Sequence, residues 1–123
     1  MRQAARVVFL VDTGADRTTL MPRDINALGL DLRLDEFGRS QTTGVGGSVQ
    51  TSQAPASLFF ADDEIPDGLR RVNLIIDLLM PEDAQAAARL PSLLGRDFLN
   101  RCACVFDPAN NRLAIDYKAV RPA

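Results

Sequence analysis

The run Val7-Val8-Phe9-Leu10-Val11 leads straight into Asp12-Thr13-Gly14-Ala15-Asp16, so five consecutive apolar residues deliver a carboxylate into a turn of small residues. An uninterrupted Val-rich run predicts a strand buried on both faces, because a half-buried strand alternates apolar with polar. A carboxylate at the end of such a strand loses on the order of several kcal/mol of hydration if left ionised and unpaired. It therefore needs hydrogen bonds, a partner charge or partial protonation. Thr13 supplies a hydroxyl, Gly14 permits close backbone approach, and Ala15 keeps the surroundings narrow. The same Asp-Thr-Gly also makes an ordinary turn, so the rest of the chain has to decide between the two readings.

A second apolar run ending in glycine, Leu93-Leu94-Gly95-Arg96-Asp97-Phe98-Leu99, lies about eighty residues downstream. Between the two stands Thr43-Gly44-Val45-Gly46-Gly47. In this order the three stretches resemble the retropepsin-like aspartic proteases. The first is similar to the family's catalytic loop, the last to its second signature of two apolar residues, glycine, arginine and a short helix, and the middle one to its glycine-rich flap. The resemblance runs from Val7 to about Tyr117, in a single-domain form of bacterial appearance.

That resemblance implies a mostly β fold, a closed barrel or sandwich with short helices, as one domain over residues 1–123. It also implies a homodimer. Aspartic proteolysis uses two carboxylates around one water, and this chain carries a single Asp-Thr-Gly. Asp97 lacks the Thr-Gly context and opens a predicted helix, so the second carboxylate is expected to be Asp12 of a second copy at a twofold axis. Carboxylates that close share a proton and titrate as a pair. By the same resemblance Thr13 would hydrogen-bond across the dimer and Gly14 would offer its backbone to substrate. Asp16 and Arg96 would form a buried or half-buried ion pair tying the two motifs together. Gly44, Val45, Gly46 and Gly47 would form a flap closing over an extended peptide. Read locally instead, Thr13 is a turn hydroxyl and Arg96 a surface residue at a helix start. Family members carry a first strand and hairpin ahead of the catalytic strand, whereas eleven residues precede Asp12 here. The expectation is either a further upstream segment or a fold that begins at the catalytic strand with an exposed edge.

Composition narrows the chemistry. A chain of 123 residues, 46% hydrophobic and 24% charged, suits one globular core. A net charge of −2 gives no bulk electrostatic case for nucleic acid or an anionic membrane. Thirteen of the fourteen basic residues are arginine, dispersed apart from the adjacent Arg70-Arg71. The absence of histidine excludes a Ser/His/Asp triad and removes the commonest metal ligand, so catalysis has to rest on carboxylates. Cys102 and Cys104 would point to opposite faces of a strand, which disfavours a bridge or joint ligation and predicts reduced, partly buried thiols. No metal or cofactor is expected. No apolar stretch approaches the roughly 18 residues of a membrane helix, and residues 1–12 make a poor signal peptide, which points to the cytoplasm.

Local signals place the elements. Pro22 to Gly29 reads as a short helix with Pro at its start and Gly at its stop. Arg39 to Gln53 reads as a hairpin with a mobile tip rather than a phosphate-binding loop, since neither a lysine nor a helix follows. Ala56–Phe60 and Val72–Leu79 read as strands, the latter buried. Asp62-Asp63-Glu64 with Asp67-Gly68 lacks the spacing of a calcium loop and reads as a solvated turn. Pro81 to Arg89 reads as a helix, Asp97 to Arg101 as a shorter one. The alternation at Ala103–Val105 and Leu113–Ile115 around Asp107-Pro108-Ala109-Asn110-Asn111 reads as a hairpin.

The function expected is an aspartic endopeptidase acting on extended polypeptide. The alternative keeps the fold but makes it a dimerisation or peptide-binding module that cleaves weakly. A carboxylate-based hydrolase unrelated to proteolysis is a third reading.

Overall fold

The computed structural model describes residues 4–30, 38–44, 47–64, 66, 68–79 and 89–116, with 38–44 and 47–50 described by their backbone. The strands are β1 (Phe9–Val11), β2 (Thr19–Leu20), β3 (Gly38–Gly44), β4 (Gly47–Ala61), β5 (Leu69–Leu79), β6 (Ser92–Leu94), β7 (Ala103–Asp107) and β8 (Arg112–Asp116). Two short helices are described, α1 (Pro22–Leu28) and α2 (Arg96–Leu99), with a 3-10 turn at Pro108–Asn110. The chain is mostly β, as the motifs predict.

β4 and β5 form the long antiparallel ladder that the rest packs on, and their registers explain the core. Val72, Leu74, Ile76 and Leu78 project from one face of β5 and are buried. Their β4 partners Leu58, Ala56 and Ala54 pack beside them on the same face. Leu20, Ile25, Leu94, Phe98 and Leu99 close that core from α1, β2, β6 and α2. Each fully buried aliphatic contributes about 1.5–3 kcal/mol. Phe60 stacks on Phe98 with ring centroids 5.0 Å apart, fastening β4 to α2. The burial expected of β5 thus holds along one face and, on the other, at Asp77. Leu69, Arg71, Asn73 and Ile75 alternate outward and are exposed.

α1 follows its caps. Pro22 occupies the first turn, and Gly29 stops the helix with φ 68°, a left-handed value that favours glycine. The buried Asp24 accepts a hydrogen bond from the Ser92 hydroxyl, whose oxygen accepts from the Met21 N–H at 2.9 Å, so α1 is moored to β6. β7 and β8 form a separate antiparallel pair, turned by Asn111 at φ 50°.

The six-stranded sheet has the order β1-β6-β2-β5-β4-β3, with β1 parallel to β6, β2 parallel to β5, and the remaining pairs antiparallel. The expected closed barrel is not found among the described residues, where β1 and β3 are the open edges and do not pair with each other. The burial expected of the Val7–Val11 run also has to be corrected. Phe9 and Val7 pack against the core, but Val8 is 72% and Leu10 53% exposed. β1 is three residues long, has one neighbour, and turns its other face to solvent. The helix expected over Pro81–Arg89 lies outside the described residues apart from its last residue, Arg89, which sits in a turn.

Candidate active site

The Asp12 loop and the Gly95 loop are built from parallel neighbours, which brings the two distant motifs side by side. β1 and β6 align Val11 with Leu94. At the point where both strands end, the Asp12 N–H donates to the Leu94 carbonyl at 3.0 Å. The turn then closes on itself. The Gly14 N–H donates to Asp12 Oδ1 at 2.9 Å and the Ala15 N–H to the Asp12 carbonyl at 3.2 Å. Asp12 is half-buried, and its carboxylate is oriented by the backbone of its own turn. A Cβ added at Gly14 would lie 3.2 Å from Asp12 Oδ1, so glycine leaves that carboxylate its room.

Backbone bonds stitch the loops together beyond Asp12. The Arg96 N–H donates to the Ala15 carbonyl at 2.8 Å and the Asp97 N–H to the Asp16 carbonyl at 3.1 Å. Gly95 sits so close to Arg17 and Thr18 that an added Cβ would meet the Arg17 carbonyl carbon at 2.5 Å. Here glycine is required by space, since its φ of −98° is open to any residue.

Asp16 and Arg96 do form an ion pair, which unites the motifs as the sequence predicts. In place of the buried or half-buried pair expected, the single chain has an exposed one, with the Asp16 side chain 82% and that of Arg96 47% exposed. Solvent reaches both side chains. The shielded contact between the motifs is one the sequence reading missed. Thr18 is fully buried and donates to Asp97 Oδ1 from both its N–H, at 2.9 Å, and its hydroxyl, at 2.8 Å. The Phe98 N–H supplies a third bond to the same oxygen at 2.8 Å, and the Thr18 hydroxyl oxygen accepts from the Gly95 N–H at 3.1 Å. Asp97 Oδ2 is buried and makes no hydrogen bond. A polar pair following each motif was the available signal.

Asp77 is a second residue missed from sequence. Buried on β5, it donates its N–H to the Thr18 carbonyl at 3.0 Å, and its Oδ1 lies 3.9 Å from the Arg17 guanidinium and accepts from Gln53 Nε2 at 3.2 Å. Gln53 belongs to β4, so Asp77 links the loop that follows Asp12 to the strand that returns from the glycine-rich hairpin. That hairpin is present, with Gly44 paired to Gly47 at the end of the β3–β4 ladder. Val45 and Gly46 lie outside the described residues. Thr13 is exposed in the single chain.

The remaining candidate features carry no chemistry of this kind. Cys102 and Cys104 are free thiols, and Cys104 is exposed rather than partly buried. Burial above all, with Cys104 nearby, raises the pKa of the Cys102 thiol, which keeps it protonated and a poor nucleophile. Asp62 pairs with Arg70 at 2.7 Å and accepts the Glu64 N–H at 2.9 Å, the pattern of a closed turn. Among the described residues no group of three His, Cys, Asp or Glu stands together, and no helix is long and apolar enough to cross a membrane.

The family model described as gag-polyprotein putative aspartyl protease matches residues 3–101, from before β1 to just past α2. No curated protein matches the chain.

Proposed function

The chain belongs to the retropepsin-like aspartyl protease family, and from that premise we propose that it is an aspartic endopeptidase whose catalytic pair is Asp12 and the Asp12 of a second copy. The observation that carries this reading is the fixed Asp12 carboxylate, held by the Gly14 N–H in a loop clamped to the Gly95 loop. A preorganised carboxylate is what general base catalysis needs. Because the chain has one Asp-Thr-Gly, a pair requires two chains, which makes the active form a homodimer.

In this mechanism one carboxylate takes a proton from the water as the water attacks the scissile carbonyl. Its protonated partner donates to the carbonyl oxygen to give a tetrahedral gem-diol, and then takes a proton back from a gem-diol hydroxyl while the first carboxyl gives the water's proton to the leaving nitrogen as the C–N bond breaks. Thr13 braces the pair from below, and Gly14 meets the substrate backbone. Asp16 and Arg96 hold the outer end of the loop. Gly44, Val45, Gly46 and Gly47 close over an extended peptide bound by strand-like hydrogen bonds. The uncovered side of β1 supports the dimer, since an apolar run with Leu10 and Val8 in solvent calls for a cover that the described single chain does not supply.

Asp12→Asn preserves volume and removes the ionisable group, so purified variant protein should lose cleavage of an unstructured protein substrate while keeping its fold. Cleavage at the wild-type rate by this variant would remove Asp12 from the mechanism.

A further inference from the structure

We propose that the groove beside the Asp12 loop is an exosite for acidic stretches of a polypeptide substrate, gripped by Arg71 and Arg101. The proposal deepens the peptidase reading and rests on it for the word substrate.

The groove has a volume of about 730 Å³. Asp16 and Arg17, four and five residues after Asp12, stand at its lining together with Pro55, Leu74 and Ile75 from the β4–β5 ladder. The groove therefore borders the loop that begins at Asp12.

Its charge is unusual for an acidic protein. Strand alternation splits the adjacent arginines of β5. Arg70 meets Asp62 on one side, while Arg71 faces the groove with neutral partners. The Arg71 Nε–H is shared between Ser57 Oγ and Asn73 Oδ1, each at 3.1 Å. Arg101 Nη1 donates to the Asn73 carbonyl at 3.4 Å. One asparagine thus gathers two guanidiniums, and among the described residues neither is paired with a carboxylate. Two like charges drawn to one residue repel, and an anion between them removes that cost.

The two aspartates of the lining are already engaged. Asp16 is paired with Arg96, and Asp97 Oδ1 takes three hydrogen bonds while its Oδ2 is buried. Guanidinium N–H groups in a fork suit a carboxylate in bidentate fashion. Apolar Pro55 and Ile75, exposed in the same lining, suit the aliphatic part of a glutamate or a flanking apolar residue, which favours peptide over a free small anion.

The test is fluorescence anisotropy on the Asp12→Asn chain, which cannot process the probe if Asp12 is catalytic. The probe is a labelled peptide with several consecutive glutamates, compared with the same peptide carrying glutamines. The glutamate peptide should bind more tightly, and added salt should weaken it. Arg71→Gln combined with Arg101→Gln should lower its affinity on the order of tenfold, and Asn73→Ala should weaken it in the same direction. Arg112→Gln, on the separate hairpin, should leave it unchanged. Equal affinity for the two peptides would overturn the proposal, as would indifference to the paired substitution or absence of binding because a second copy covers the groove. Displacement of the glutamate peptide by equimolar inorganic phosphate would also overturn it, in favour of a small-anion site. None of these readouts depends on cleavage, so the exosite can fail while the peptidase reading stands, and the reverse.

Discussion

Thr18 and Asp97 are 79 positions apart in sequence and are joined by two hydrogen bonds to one carboxylate oxygen, at 2.9 and 2.8 Å. Thr18 also receives the Gly95 N–H on its hydroxyl and the Asp77 N–H on its carbonyl. A single buried threonine thus ties together the loop that follows Asp12, the second motif and β5. Thr18→Val keeps the shape and strands the Gly95 N–H and part of the Asp97 acceptor capacity. It should destabilise the chain by about 1–3 kcal/mol in urea unfolding. A loss below about 0.5 kcal/mol would mean that this junction does not hold the loops.

The exposed ion pair should behave differently. Arg96→Ala removes a contact worth about 0–1 kcal/mol where solvent reaches both partners. A double-mutant cycle with Asp16→Ala, run at protein concentrations low enough for monomer, should give a coupling in that range. Coupling on the order of 3–5 kcal/mol, the value for breaking a buried pair, would show that the pair is shielded in solution.

Two glycines should separate stability from activity. Gly95→Ala drives a Cβ into the Arg17 and Thr18 backbone and should cost about 1–3 kcal/mol or more. Gly14→Ala sets a methyl 3.2 Å from Asp12 Oδ1, a contact that a small shift relieves. Cleavage should fall on the order of tenfold or more with the melting temperature nearly unchanged. If Gly14→Ala cleaves normally, the position of the Asp12 carboxylate is not limiting.

The thiols should react in order. The Cys102 pKa is raised, chiefly by burial, so at mildly alkaline pH little of it is thiolate, and Cys104 is exposed. Iodoacetamide followed by peptide mapping should find Cys104 modified first, and raising the pH should narrow the difference. Faster labelling of Cys102 would mean that the β7–β8 region opens.

Much of this arrangement is legible along the chain. Pro22 and Gly29 bound α1, the Asp107–Asn111 turn separates β7 from β8, and the family resemblance carried by the paired apolar-glycine runs implies that Asp16 meets Arg96. Local signals fail where a residue's role is made by crossing strands. Thr18, Asp77 and Asp97 look like surface polars until β2, β5 and α2 converge on them. The Val7–Val11 run misleads for a related reason, since hydrophobicity alone does not say how many neighbours a strand will have, and β1 has one.

The central claim is that two chains share one catalytic pair, and subunit mixing tests it most directly. Wild-type protein and Asp12→Asn protein are mixed in equal amounts, allowed to exchange, and assayed for cleavage at constant total concentration above the dimer midpoint. Random pairing leaves about a quarter of the dimers with two Asp12 carboxylates, so activity should fall to about a quarter of that of the same total concentration of wild type. Activity of about one half, proportional to the wild-type chains present, would contradict a shared pair and assign the chemistry to each chain alone.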